Sequence, residues 1–366
     1  MDKPEQKSEQ EGVKMELTKE QQAIVNTTAS KVVVIAAAAS GKTRTLVART
    51  QHLLQSGIDP KKIVVITFTN NAAEELADRL NHPQGIFIGT IHSYANYLLR
   101  IAGVDTSQVL DDEKFDQLFP LVKTHPQCIR PVEHLLLDES QDSTPDQFEF
   151  LLDMVQPDNY LLVADYRQSI YRWNGAAPQY ILDLKHAPGV TTYSLNENYR
   201  NGSSILSYAS SIIMQAGYDY RDTSIPMRDV TGRVITVEYS PVSIARTIKR
   251  KGDYKTWFVL CRTNDQVDQM MSYLEKEQVP CASFKRAQFT NKELYEKMQE
   301  DSVKVLTIHT ANGLEADNVI VIGARFYNLE EKCISYVAAT RARDLLVWTI
   351  MPTKKKRAEQ ISNWEY

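Results

Sequence analysis

The stretch Ala36-Ala37-Ala38-Ala39-Ser40-Gly41-Lys42-Thr43 carries the clearest chemistry in the chain. A turn of small residues ending in Gly-Lys-Thr lets backbone N–H groups converge on an anion. A helix that starts there adds positive potential. Lys42 is placed to reach the β- and γ-phosphates of a nucleotide, and the Thr43 hydroxyl to ligate Mg²⁺. The context fits. Residues 31–35 are a β-branched apolar run that reads as a strand buried on both faces, and residues 44–54 continue as a helix. Ala36 stands where the usual loop has its first glycine. The alternative is an ordinary strand–helix turn with an alanine-rich cap.

Two adjacent carboxylates weigh against that alternative. Leu135-Leu136-Leu137 runs into Asp138-Glu139-Ser140-Gln141-Asp142, an acidic pair at the end of a strand. Asp138 would hold Mg²⁺ directly or through water, and Glu139 would polarise an attacking water as general base. Further along, Gln168 is a candidate sensor of the γ-phosphate. Tyr171, Arg172 and Trp173 put two aromatics beside a cation. If exposed, they form a platform for bases, worth about 1–3 kcal/mol per stacked base. The other reading is that Trp173 is core. Arg200, closing Asn196-Glu197-Asn198-Tyr199-Arg200, is a candidate phosphate contact, and Gln21 a candidate reader of an adenine edge.

The elements that must position these residues follow from pattern. Strand, loop and helix alternate at residues 63–76 and 85–100, with a capping-box pattern at Asn71 and Glu74. Thr18 and Thr144-Pro145 mark two further helix starts. This alternation predicts an α/β fold with parallel sheets and sites at the strands' C-terminal ends. From Gly232 onward a second α/β half follows without a phosphate loop, with a helix expected over 330–343. The chain has 366 residues, 43% hydrophobic and 24% charged, room for two to three domains. A net charge of −4 excludes a global polycation, so any nucleic-acid site is a local groove. Four scattered cysteines argue against a zinc site or disulfide framework and fit a reducing cytosol. No run reaches transmembrane length. Residues 1–14 read as a disordered tail and 354–366 as a polar tail with a short basic run.

Taken in order, these motifs resemble the UvrD/Rep family of superfamily 1 DNA helicases. LTKEQ resembles its Q motif, AAAASGKT its Walker A loop, TFTNNAAEEL and GTIHS its DNA-contacting motifs, and LLLDESQD its Walker B. VADYRQSIYRWNGA, NENYR, VLTIHTANGLEADNVIVIG and YVAATRAR resemble motifs III to VI. The resemblance implies two RecA-like domains, residues 15–200 and 201–353, with ATP in the cleft between them. It implies Ala37, Ala38, Ala39, Ser40, Gly41, Lys42, Thr43 and Arg44 around the nucleotide, Tyr199 on the adenine, and Glu315 near the ribose. Arg200 and Arg341 become arginine fingers. Phe68, Thr69, Asn70, His92, Tyr171, Trp173, Thr307 and His309 fall on the DNA side.

The activity so implied is 3′-to-5′ movement on single-stranded DNA or a single/double-strand junction, using ATP and Mg²⁺ in the cytoplasm, with no membrane. Three departures stand out. Ala37 and Ala39 occupy positions where the family usually has glycine, which permits positive φ. Asn174 and Asn312 replace basic residues. Residues 103–134 and 265–302 are short where the family has whole inserted subdomains. Two alternatives therefore stay open. One is a DNA-stimulated ATPase that needs a protein partner for unwinding or loading. The other is a nucleotide-gated DNA-binding protein with little turnover.

Overall fold

A computed structural model describes residues 16–217, 220–284 and 289–351; the expected tails, 1–14 and 354–366, lie outside them. The apolar runs fold as expected into strands of a six-stranded sheet, joined by an edge strand, Thr191–Leu195, that its polar sequence did not signal. These are β1 (Lys31–Ala36), β2 (Ile63–Ile66), β3 (Phe87–Gly89), β4 (His134–Leu137), β5 (Asn159–Ala164) and β6 (Thr191–Leu195). Their order is β3-β2-β4-β5-β1-β6, and every pairing is parallel. A parallel sheet needs a crossover between neighbours, and the crossovers here are helices on both faces. Val33, Leu135 and Leu162 feed one apolar cluster and Val32, Leu136 and Leu161 the other, as period-two alternation requires.

Threonines set the helix starts. Thr18, Thr90 and Thr144 each form a reciprocal capping box, with Gln21, Ser93 and Gln147 respectively. The expected cap at Asn71 is displaced. Thr69 is the extended residue that precedes helix Asn70–Arg79, and its side chain accepts from the Ala72 N–H. Asn71 lies inside the helix and donates to the Phe289 carbonyl at 2.8 Å, a contact to the second half of the chain.

A two-stranded ladder, β7 (Glu197–Asn198) with β8 (Ile225–Pro226), follows the first sheet. The second sheet comprises β9 (Arg233–Glu238), β10 (Trp257–Cys261), β11 (Cys281–Ala282), β12 (Val303–Thr307), β13 (Ala316–Ile322) and β14 (Ala342–Ile350). It is also all-parallel, in the order β11-β12-β10-β13-β14-β9. The helix expected over 330–343 is shorter, Leu329–Ala339. Ala342 already pairs with Ala316 across β13, which ends the helix before Arg341. Arg341 turns back, and its Nε donates to the Val337 carbonyl, satisfying a helix-end acceptor. One apolar cluster spans the two halves, joining Ala38, Tyr166 and Ile170 to Leu306, Tyr336 and Val337.

Between β3 and β4, residues 103–134 form two short helices, Ser107–Asp111 and Leu118–Thr124. Before β12, residues 265–302 hold most of helix Asn264–Lys276 and all of helix Asn291–Gln299. Among the described residues no helix is long and apolar enough to cross a membrane.

Candidate active site

The loop after β1 is tightly braced. Leu195 accepts from the Ala37 N–H at 2.7 Å, Asn198 Nδ2 donates to the Ala38 carbonyl at 2.9 Å, and Gln21 Nε2 to the Ser40 carbonyl at 3.2 Å. The Tyr199 N–H donates to the Ala39 carbonyl at 3.2 Å. Gly41 has φ 82°, and a Cβ there would lie 2.7 Å from Gln21 Nε2, so both conformation and space select glycine. Ala39 also has positive φ, 54°. A left-handed alanine costs about 1–2 kcal/mol. Ala37 and Ala38, within the loop, are buried and do not line the cleft described below.

Helix Lys42–Gln55 starts here and aims Lys42 and Thr43 at the end of β4. Lys42 Nζ donates to Glu139 Oε2 at 2.6 Å, and Thr43 Oγ1 to Asp138 Oδ2 at 3.1 Å. Glu139 has a left-handed backbone, φ 51°, and Gln141 Nε2 donates to its Oε2 at 2.7 Å. Burial opposes the Lys42 charge, but Glu139, Asp165 and Asp138 hold its pKa above the ordinary lysine value. Burial, then the Glu139 charge, pushes the Asp138 carboxyl up to about 6. Glu139 goes the other way. Burial would raise it, but Lys42 and Gln141 hold it below the usual range. Asp142, fully enclosed, is raised by burial, and its Oδ1 has no hydrogen-bond partner.

The second half meets this centre through arginines. Arg341 Nη2 donates to Gln168 Oε1 at 3.1 Å, and Gln168 Nε2 to Asp165 Oδ2 at 2.6 Å. Burial and the nearby Arg200 charge push the Arg341 guanidinium down to about 9, which leaves it cationic at neutral pH. Arg200 Nε donates to Glu315 Oε2, and Arg343 Nη1 to Glu315 Oε1 at 2.5 Å, so both oxygens of Glu315 are engaged by guanidinium groups. Tyr199 is half exposed, and its hydroxyl donates to Glu197 at 2.5 Å.

A continuous cleft of about 1100 Å³ joins the nucleotide loop to an aromatic groove. Lys42, Arg44, Glu139, Gln168, Arg200 and Arg341 line one end. Phe68, Thr69, Asn70, His92, Tyr171 and His309 line the other. Phe68 and Tyr171 stack with centroids 4.9 Å apart, and the His309 ring meets Tyr171 edge-on at 6.1 Å. His92 stacks on Phe119 and lies 2.9 Å from Asp116. Trp173 is 68% exposed, beside Tyr171 at 6.5 Å, so it is not core. Gln21, Tyr199, Glu315, Thr307 and Trp173 flank the cleft lining rather than belong to it. Thr307 Oγ1 instead pairs with Thr310 Oγ1 at 2.9 Å.

Sequence reading missed the amides that hold these groups. Gln141 bridges Glu139 to the Asp165 N–H, and Asn198 ties the phosphate loop to Asn201, whose Nδ2 reaches the Ala342 carbonyl. Only the positions of Gln141 inside DESQD and Asn198 inside NENYR signalled them, and Asn201 follows directly after the second string.

A phosphate loop and acidic strand end on one parallel sheet, met by arginines from a second, define a two-lobed nucleotide-cleft protein. The chain matches the UvrD/REP helicase N-terminal domain over residues 17–125 and 122–188. It matches the UvrD-like helicase C-terminal domain over residues 193–295 and 284–353. It belongs to the UvrD/Rep-like family of superfamily 1 helicases, and its two sheets are the two RecA-like domains. A "Probable DNA helicase II homolog" of Mycoplasma capricolum subsp. capricolum is 22% identical, covering 72% of this chain and 51% of the relative. A "Putative ATP-dependent DNA helicase" of Bacillus subtilis is 25% identical over 58% of this chain and 40% of its own length. A "Probable DNA helicase" of Mycoplasma pneumoniae is 23% identical over 90% of this chain and 82% of its own. The chain thus spans about half the length of the first two relatives and most of the third.

Proposed function

We propose that the chain is an ATP-dependent DNA helicase that translocates on single-stranded DNA, 3′ to 5′. The observation that carries this reading is the single cleft joining the Lys42–Glu139 centre to the stacked Phe68–Tyr171 pair. We set the lobe boundary at residues 200 and 201, between the end of β6 at Leu195 and helix Ser203–Met214.

In this reading the loop N–H groups and Lys42 bind the β- and γ-phosphates. Glu139, held ionised by Lys42 and Gln141, accepts a proton from the attacking water. Gln168 contacts the γ-phosphate, and Arg200 and Arg341 place positive charge where charge develops in the transition state. Tyr199 lies against the adenine. The donor chemistry beside Thr43 fits a hard divalent cation: a hydroxyl and a carboxylate meet at 3.1 Å, with the unpartnered Asp142 Oδ1 in the same acidic turn. Thr43 and Asp138 would hold Mg²⁺, which neutralises phosphate charge when bound. Drawing Arg200 and Arg341 onto the nucleotide closes the lobes, and release reopens them. Each cycle moves the groove residues of one lobe relative to those of the other along the strand.

The short stretches at 103–134 and 265–302 favour a second reading, a DNA-stimulated ATPase that unwinds only with a protein partner. Displacement of streptavidin from oligonucleotides biotinylated at either end tests translocation and its direction. Faster ATP-dependent displacement from the 5′ end is expected. Equal, ATP-independent release at both ends would remove the motor reading.

A further inference from the structure

Arg167 is among the largest fully buried side chains, and the chemistry above does not use it. Its guanidinium reaches three acceptors. Nε donates to Asp165 Oδ1 at 2.7 Å, Nη2 to the Ala36 carbonyl at 2.9 Å, and Nη1 to Asp222 Oδ1 at 2.9 Å. Ala36 opens the phosphate loop and Asp165 follows β5, so two of the contacts lie in the first lobe. Asp222 lies in the second, where its Oδ2 accepts from the Tyr336 hydroxyl at 3.1 Å and from Ser210 Oγ at 2.8 Å. Tyr336 belongs to helix Leu329–Ala339, and Arg341 lies just beyond its end. Arg341 returns through Gln168 to Asp165, the residue that Arg167 holds. The bonds therefore form a closed ring through both lobes.

Burial gives the ring its leverage. The side chains of Arg167, Asp165 and Asp222 are 2%, 0% and 0% exposed. In such surroundings the loss of one partner strands a charge, whereas apolar packing would hold two surfaces together as well or better. An ion pair here is suited to fixing geometry. A planar guanidinium can span three acceptors in fixed directions, and a lysine ammonium cannot.

We propose that Arg167 is a positioning residue that couples the phosphate loop to the second lobe through Asp222 and keeps Gln168 and Arg341 in register. This rests on the ATP-hydrolysis reading above. The test uses Arg167→Lys and Asp222→Asn in the full chain. Measured on the folded fraction are kcat and KM for ATP with single-stranded DNA, ATP affinity, and ATP-induced hydrogen-exchange protection of helix Leu329–Ala339. The expected result is a kcat lowered about 10- to 100-fold, by analogy with the loss of partners that orient metal ligands. ATP affinity should stay within about twofold, and the ATP-induced protection should disappear. Wild-type kcat per folded molecule together with wild-type protection would overturn the coupling and leave a structural ion pair. If the wild type binds ATP without hydrolysing it, the hydrolase reading fails, and the exchange measurement alone decides the coupling.

Discussion

Lys42 Nζ lies 2.6 Å from Glu139 Oε2, so the cation proposed to grip phosphate and the carboxylate proposed to activate water are held as one pair. Each tunes the other: Glu139 raises the lysine, and Lys42 keeps the glutamate ionised against burial. Removing either should therefore stop hydrolysis, for different reasons. Glu139→Gln keeps shape and should retain ATP binding while kcat falls about 10²- to 10⁴-fold, the span of a lost general base. Lys42→Ala should lose affinity as well. Isothermal titration beside steady-state kinetics separates the two, and wild-type turnover in Glu139→Gln would assign the base elsewhere.

Ala39 has φ 54°, which bears on the alanine-rich loop. Glycine at that position relieves about 1–2 kcal/mol of left-handed strain and loses about 0.4–1 kcal/mol through unfolded-chain entropy. Ala39→Gly should thus leave the melting temperature level or slightly higher while raising kcat/KM for ATP. Ala36→Gly should lower the melting temperature slightly and do little to kcat/KM, because Ala36 is a buried strand residue without positive φ. An unchanged or lower kcat/KM in Ala39→Gly would mean that the loop already fits its phosphate with alanine in place.

Trp173 is solvent-facing beside Tyr171, so its loss should not unfold the protein. Trp173→Ala should weaken single-strand binding by about 1–3 kcal/mol, one stacking contact. DNA-independent ATPase should persist. Fluorescence anisotropy with a labelled oligonucleotide checks this; unaltered affinity would take Trp173 off the DNA path.

His309 gives a pH dependence with a definite sign. Burial and the nearby Arg262 hold its imidazole below the ordinary 6.5, against Glu330, Glu331 and a backbone hydrogen bond with Ile170. The unfolded chain therefore takes up a proton first as pH falls. The stability that this histidine contributes is complete above about 6.5 and is lost as pH drops through its folded value, at most ~1.4 kcal/mol per pH unit. Urea melts at pH 5.5 and 7.5 should show a larger acid loss in wild type than in His309→Asn. Parallel losses would place the acid-sensitive group elsewhere.

Much of this architecture was legible because local and global signals agree. Ile63-Val64-Val65-Ile66 and Leu135-Leu136-Leu137 read as strands and are strands with buried interiors, and the Thr18, Thr144 and Gly-Lys-Thr signals mark helix starts where helices begin. The failures came where a distant contact overrides a local pattern. Asn71 and Glu74 look like a capping box, but Thr69 takes the cap and Asn71 reaches Phe289. Residues 340–343 carry no helix breaker, yet pairing of Ala342 with β13 stops the helix and frees Arg341 to meet Gln168. The Arg167–Asp222 pair links residues far apart in sequence, and neither lies in a pattern that names the other.

In the proposed motor, one cleft couples DNA in the aromatic groove to ATP at the Lys42–Glu139 pair. ATP hydrolysis by the wild-type chain, measured across a titration of single-stranded DNA, tests it most directly. A saturable rise in kcat with DNA is expected, absent in Glu139→Gln. A wild-type rate that does not change with DNA, or stimulation that survives in Glu139→Gln, would contradict it.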